Sequence, residues 1–448
     1  MTTTLRHLLP MHVALALAGC ALAGCTVARN GTAVDAASDA APPRDAARDV
    51  DTTRCGDGVR DPAEKCDGSD VGDQRCSSMG FLRGELGCRT DCTFDTSMCR
   101  SPPADWQDVA CPFRRIVTVP ASRSAEPLTN FPLLVTRTDE AFRDHALSTG
   151  EDLFFADAER GVRLPHTREF YDPANGALAA WVRVSLAGET DTRIHLYYGD
   201  AACGASKPNV PTDAWDADFR GVWLLAEDGG GPRRDATISA FDAARGNYDG
   251  DEDVPGRLGG AERLDGVDDH LALPVEVLEG LRTFTICTWL RTDENRNNAT
   301  NWKNPTIFGQ ISTGFESADF GFFTSSGRVG LRSGLCMGTD EVAVSTTMLN
   351  DGAFHQVCAV GGPDSTFVTV DDVTVASVCP VTKRLAPPAF WLGGLLGQTP
   401  AETGSHHRGD YDHLEVSGVV RSPAWRSARF ANQRAPESFA IVGPEETW

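Results

Sequence analysis

The feature that most limits what this chain can fold into is the placement of its fourteen cysteines. Six of them, Cys55, Cys66, Cys76, Cys88, Cys92 and Cys99, crowd a stretch almost devoid of apolar side chains. Burial alone cannot repay the ordering entropy of such a segment, so cross-links must hold it. Two chemistries would serve: three disulfides, or zinc held through Cys88, Cys92 and their neighbours. The N-terminus favours disulfides. Arg6 precedes a run from Leu8 to Gly24 rich in Leu, Ala and Val, which reads as an export signal. Within it, Leu17-Ala18-Gly19-Cys20 and Leu22-Ala23-Gly24-Cys25 each place small residues before a thiol. That is the chemistry of a cleavage site whose new terminal cysteine receives a lipid. A cut before Cys25 removes Cys20, spends Cys25 on lipid and leaves twelve cysteines, all able to pair. A cut before Cys20 would strand Cys25. Cys25 is therefore the expected lipidated residue, with residues 1–24 as the signal peptide.

Residues 25–54 are Ala, Asp, Arg and Pro with few large apolar groups, and are expected to form a disordered spacer. No later segment reaches the roughly 20 apolar residues needed to cross a bilayer, so the lipid is the expected membrane attachment. The formal charge of -22 argues against nucleic acid as a partner, because it repels phosphate backbones. The remaining length is enough for more than one domain. Between residues 106 and 203 strand-like runs recur, among them Ala179-Ala180-Trp181-Val182-Arg183-Val184 and Arg193-Ile194-His195-Leu196-Tyr197-Tyr198. Cys111 and Cys203 bracket this region and are expected to pair. Residues 214–443 also read as strands. In Phe284–Leu290, Phe284, Ile286, Thr288 and Leu290 share one face, and Cys287 and Trp289 the other. The expected fold class is all-β, with two consecutive sandwich-type domains after a small disulfide-rich module at residues 55–100.

Three resemblances sharpen this. The pattern CGDG…EKCDG…LGC…CTFDTSMC resembles a Myxococcus-type cysteine-rich repeat of bacterial surface proteins. "LTNFPLLV", "EDLFFADAE", "LPHTREFYDPANGALAAWVRV" and "IHLYYGD" resemble the bacterial surface domain of unknown function numbered 2341. "AWDADFRGVWLLAED", "GGAERLDGVDDHLALP", "TFTICTWLRT" and the tail from Gly409 resemble, in that order, the laminin-G-like, concanavalin A-like lectin/glucanase jelly roll. The resemblances imply a surface lipoprotein without known catalysis, with a lectin-like sandwich behind a β module. Thr26 after Cys25, in place of Asp, resembles lipoproteins destined for the outer membrane. The pattern is broken in places. Asp371-Asp372 stands where an Asp-Gly turn is usual, so Asp372 is expected to need a left-handed backbone. Asp412-His413-Leu414-Glu415 replaces the customary "DEVR", which puts a family ion or salt bridge at those positions in doubt.

Chemistry-bearing patterns are few. A glycan hydrolase needs two carboxylates held about 5–9 Å apart. The sequence has no Glu-x-Asp-x-Glu strand, and Asp249, Glu252, Asp251 and Asp253 sit among loop-forming Gly250 and Pro255. The chain is therefore expected not to be an enzyme, a degraded polysaccharide hydrolase being the remote alternative. No cofactor is required. A structural calcium is the candidate ion, on Asp265, Asp268, Asp269 and Asp412, against the plainer reading that these aspartates shape turns. The DGSDVGD run carries the same two readings. Glycan binding or adhesion is the leading expectation, with Trp302 in the Asn295–Asn304 loop, Tyr248 and Tyr411 as candidate ring-stacking aromatics. An envelope scaffold binding another protein is the competing class. His406-His407 is a weak metal candidate, and Arg408-Gly409-Asp410 is given no role. In the second sandwich Cys287, Cys336, Cys358 and Cys379 make two bridges, and Cys358–Cys379 across one strand–turn–strand unit is one possible pairing.

Overall fold

The computed structural model describes residues 55–205, 209–298, 303–311, 320–333, 341–378, 390–397 and 405–448. Cys20, Cys25, the spacer, Trp302, Cys336 and Cys379 lie outside the described residues. The described chain forms two compact units, residues 55–72 with 88–94, and residues 73–87 with 95–448.

The small unit is closed by Cys55–Cys92 and Cys66–Cys88. Its buried carboxylate, Asp67, accepts the backbone N–H groups of Gly56 (2.8 Å), Asp57 (3.2 Å) and Gly58 (3.3 Å). Asp70 accepts from the N–H of Gly72. The DGSDVGD aspartates therefore bind backbone, as turn formers do. In the large unit Cys76–Cys99 clamps the segment that precedes the first sandwich. All six cysteines are in disulfides, so none is a thiolate free for zinc.

The first sandwich begins with β1 (Phe113–Val119), β2 (Leu128–Thr138), a short helix α1 (Glu140–His145) and β3 (Phe154–Asp157). It continues through β4 (His166–Asp172), β5 (Ala177–Leu186) and β6 (Thr192–Tyr198). One antiparallel sheet has the order β2-β5-β4. Strand β5 is buried along nearly its whole length, because it is covered on both faces. The expected Cys111–Cys203 bridge is present.

The second sandwich holds two eight-stranded sheets. Its first strands are β7 (Phe219–Trp223), β8 (Ala244–Gly246), β9 (Asp253–Pro255), β10 (Gly260–Asp265), β11 (His270–Leu273) and β12 (Phe284–Arg291). Then come β13 (Thr306–Ile311), β14 (Phe320–Ser325), β15 (Arg328–Ser333), β16 (Glu341–Met348), β17 (Phe354–Gly361), β18 (Thr366–Val370) and β19 (Val373–Val378). The last are β20 (Phe390–Leu392), β21 (Leu395–Gly397) and β22 (Arg408–Ser417). One sheet runs β9-β10-β22-β12-β17-β18-β19, with β7 also on β22. The other runs β8-β11-β20-β13-β14-β15-β16, with β21 parallel to β13. Phe284, Ile286 and Leu290 of β12 enter the core between the sheets, while Trp289 joins the core of the first sandwich. The alternation read from the sequence is therefore the observed one.

The chain then forms α2 (Pro423–Arg434), α3 (Pro436–Phe439) and β23 (Ile441–Thr447). Ser422 caps α2 by accepting the Trp425 N–H at 3.1 Å, and Pro423 sits in the first turn, where its missing N–H costs nothing. Strand β23 does not close the second sandwich. It returns to the first, where it pairs with β1 to complete a sheet of order β23-β1-β6-β3. Sequence reading did not anticipate this return. A further correction concerns Cys358, which bonds Cys287 directly opposite it on β12. Because Cys358 is taken by Cys287, the pairing Cys358–Cys379 is overturned. Asp371 and Asp372 both adopt positive φ (48° and 69°), the strain expected of an Asp-Asp turn.

Candidate functional site

The turn joining β10 to β11 brings Asp265, Asp268 and Asp269 together, with ligand oxygens within 4.8 Å of one another. Gly266 makes the turn possible: it has φ 77°, and a Cβ there would meet the Arg408 backbone N at 3.0 Å. The aspartates also hold the turn. Asp265 Oδ1 accepts the Val267 N–H at 2.7 Å, and Asp269 Oδ2 accepts the Asp265 N–H at 3.0 Å. A neighbouring loop groups Asp249, Asp251 and Glu252 in the same way. Burial, with Asp265, Glu252 and Asp249 nearby, pushes the Asp269 carboxyl up to about 6. These clusters offer the hard oxygens a divalent cation needs.

Asp412 does not belong with them. Asp265 pairs in register with Arg408, four positions away along β22, which is about 13 Å of strand. Asp412 is fully buried, and its Oδ2 accepts the N–H groups of Arg257 (2.6 Å) and Leu258 (2.7 Å). Tyr411 is likewise corrected: it is fully buried, with its hydroxyl 2.7 Å from His407 Nδ1, and cannot meet a ligand. Tyr248 is partly buried beneath the Arg245 guanidinium (4.1 Å), and burial drives its phenol far above the usual range. Of His406-His407, the second is fully buried and held neutral, its pKa lowered to about 3 by burial. Arg408-Gly409-Asp410 is the start of strand β22, not a free loop.

Beside the acidic turn lies a cleft of about 470 Å³. Asp410 sits in its wall, gripped by Arg263 (2.9 Å) and Arg291 (2.6 Å). Arg408 pairs with Asp293 at 2.9 Å. Asp265 and Asp269 complete the polar lining. On the other side of the turn is an aromatic the sequence reading missed. Trp391 lies between Phe390 and Leu392, which are fully buried in the core, so strand alternation turns its indole to the outer face, where it stays partly exposed. His270 stacks on it at 3.7 Å. Nδ1 of His270 contacts the carbonyl of Asp268 (3.0 Å), and Nδ1 of His406 contacts that of Asp269 (3.3 Å). The signal was available: a lone Trp alternating with two core residues, followed by Gly-Gly. Gly393, at φ 83°, lets this segment approach Leu264 at the turn.

A second concentration of polar groups is buried where α2 meets both sandwiches. Arg429 bonds Glu415 at 2.8 Å, the carbonyl of Pro132 at 2.9 Å, and lies 4.2 Å over the Trp181 ring. His413 stacks on the same tryptophan at 4.8 Å. Although burial raises the Glu415 carboxyl, the adjacent guanidinium outweighs it and holds the group well below the ordinary range. Glu169 moves the other way, raised by burial and by Asp412. Its Oε2 accepts the Trp181 indole N–H at 2.7 Å. Trp181 is thus a packing residue of this junction.

The chain matches no family model and no curated protein sequence, so the three families whose motifs it resembles are not confirmed. Solved structures to which the chain is similar include domain 4 of AbnA, a GH43 extracellular arabinanase from Geobacillus stearothermophilus, in complex with arabinotriose. It is 14% identical, with a TM-score of 0.37, over 48% of this chain and 98% of that one. The receptor binding domain of botulinum neurotoxin D is 8% identical, with a TM-score of 0.36, over 48% of this chain and 53% of that one. The CBM40 of Ruminococcus gnavus IT-sialidase, bound to α2,3 sialyllactose, is 11% identical, with a TM-score of 0.30, over 38% of this chain and 96% of that one. Among the described residues no helix is long and apolar enough to cross a membrane.

Proposed function

We propose that this is an exported lipoprotein, anchored through Cys25, whose second sandwich binds carbohydrate without cleaving it. The observation that carries the reading is the partly exposed Trp391 indole, joined through His270 to the acidic turn, which also borders a cleft rich in carboxylates and guanidinium groups. Sugar recognition needs both: a ring face for the apolar C–H side, and planar charged groups that bind hydroxyls in pairs. The Asp410 carboxylate between Arg263 and Arg291 offers acceptors and donors side by side. The lining is self-neutralised in part and acidic in balance, which favours a neutral glycan. Calcium on Asp265, Asp268 and Asp269 would rigidify the turn.

A glycan array followed by calorimetry tests this. Saturable binding of a neutral glycan, reduced at least about tenfold by Trp391→Ala and by chelation, is expected. Binding unaffected by Trp391→Ala would move the site elsewhere, and capture of an envelope protein without any glycan signal would favour the scaffold. Mass spectrometry of the mature N-terminal peptide tests the anchor: acyl chains belong on Cys25, and chains on Cys20 would contradict it.

A further inference from the structure

Two imidazoles share the outer face with Trp391. His270 begins β11 and stacks on the indole at 3.7 Å, and His406 lies 6.0 Å from the same ring. The centroids of the two imidazoles are 6.1 Å apart. Gly246 is the cross-strand partner of His270, and having no side chain it leaves that ring room to lie on the sheet. The tandem His406-His407 is split by its backbone: His407 is fully buried, while His406 is only half-buried.

Both rings are held by the same turn. The carbonyl of Asp268 faces Nδ1 of His270 at 3.0 Å, and the next carbonyl, of Asp269, faces Nδ1 of His406 at 3.3 Å. A carbonyl only accepts, so each Nδ1 carries the hydrogen and each neutral ring keeps its lone pair on Nε2. Neither Nε2 has a hydrogen-bond partner among the described residues. Stacking on Trp391 accounts for where the His270 ring lies. It does not account for two histidines whose tautomers are fixed alike, each with Nε2 left over. That is the arrangement of imidazole ligands, in which a backbone carbonyl orients the second nitrogen and raises the basicity of the first. Two rings that share one zinc through bonds of about 2.0–2.1 Å hold their centroids roughly 5–6 Å apart. The 6.1 Å between His270 and His406 lies at the edge of that range.

We propose that His270 and His406 form a binding site for a borderline divalent ion of the zinc and copper(II) class. Its nitrogen donors set it apart from the hard oxygens that the aspartates of the same turn offer. Two imidazoles leave the other positions of a tetrahedral ion to water or an added ligand. Zinc titration of the folded protein by calorimetry, near neutral pH in excess calcium, tests this. One zinc per chain is expected, which calcium does not displace. His270→Gln and His406→Gln are each expected to weaken zinc at least about tenfold, because the remaining imidazole holds the ion alone. His145→Gln, on α1 of the first sandwich, should leave the titration unchanged. Because His270 packs against Trp391, a second readout keeps both histidines: copper(II) on the pair is expected to quench the indole beside it, and that quenching is expected to be missing in Trp391→Phe. Absence of saturable zinc binding, displacement of zinc by calcium, full affinity in both glutamine variants, or undiminished copper quenching in Trp391→Phe would each overturn the site. None of these measurements involves a glycan, so failure of the carbohydrate reading leaves their outcome unaffected.

Discussion

At the scale of single residues, the most consequential groups are buried carboxyls whose environments push them in opposite directions. Asp412 is raised to about 7, chiefly by burial, while Glu415 is lowered because Arg429 outweighs the same burial. A carboxyl raised in the folded state opposes folding once the unfolded chain can ionise. Asp412 therefore costs nothing at pH 3. Its penalty grows as pH rises from its ordinary value near 4 and is complete above about 7. Glu415 behaves oppositely: its contribution is present above its unfolded value and is lost as pH falls below about 4. Asp412→Asn keeps an oxygen for the Arg257 and Leu258 amides and removes the ionisation. Denaturant titrations across pH 4–8 should show the variant gaining on the wild type as pH rises, by on the order of 3 kcal/mol at pH 8. A constant difference across that range would contradict the burial argument. Neither position was legible from spacing, because nothing in Asp412-His413-Leu414-Glu415 says that α2 and the first sandwich will cover it.

At the scale of elements, the last strand has the least expected part. Ile441–Thr447 pairs along Phe113–Val119, and its residues satisfy two buried cations of that strand. Arg114 bonds Glu446 at 2.6 Å, and Arg115 bonds the carbonyl of Gly443 at 2.8 Å. Tyr198 donates to Glu445 at 2.7 Å. Removing residues 441–448 would expose a sheet edge and strand buried charge. The truncated protein should lose several kcal/mol of stability, and light scattering should show association through the bared edge. An unchanged melting temperature and a monodisperse sample would count against this pairing. Helix α2 covers another edge. Asn432 brackets the backbone of Leu134, accepting its N–H at 2.7 Å and donating to its carbonyl at 2.9 Å. The alternation within β12 and the capping Ser422-Pro423 could be read locally, since a strand's faces and a helix's first turn are set by nearest neighbours. The partner of a strand more than 300 residues away cannot be read that way.

At the scale of the whole large unit, the two sandwiches share one buried polar junction and one helix. Arg429, held by Glu415 of the second sandwich and Pro132 of the first, is nearly without solvent contact. Breaking one side of a buried ion pair costs about 3–5 kcal/mol, because the other charge is left unpaired. Arg429→Ala should therefore lower the stability of both sandwiches together. Calorimetry of residues 106–448 should show one cooperative transition in the parent protein. Two transitions, with only one moved by Arg429→Ala, would mean that the sandwiches fold separately.

Sequence alone determined what depends on local chemistry: the all-β class, the crosslinked small module, the face of each strand in Phe284–Leu290, and the crowding of Asp265, Asp268 and Asp269 in one turn. Side-chain alternation and turn geometry need only a few adjacent residues. Tertiary structure decided what depends on register between distant segments. It separated Asp412 from the acidic turn, sank Tyr411 into the core, turned Trp391 outward beside that turn, and sent the final strand back to the first sandwich. Those outcomes follow from which strands lie side by side, and strand order is a property of the assembled sheets.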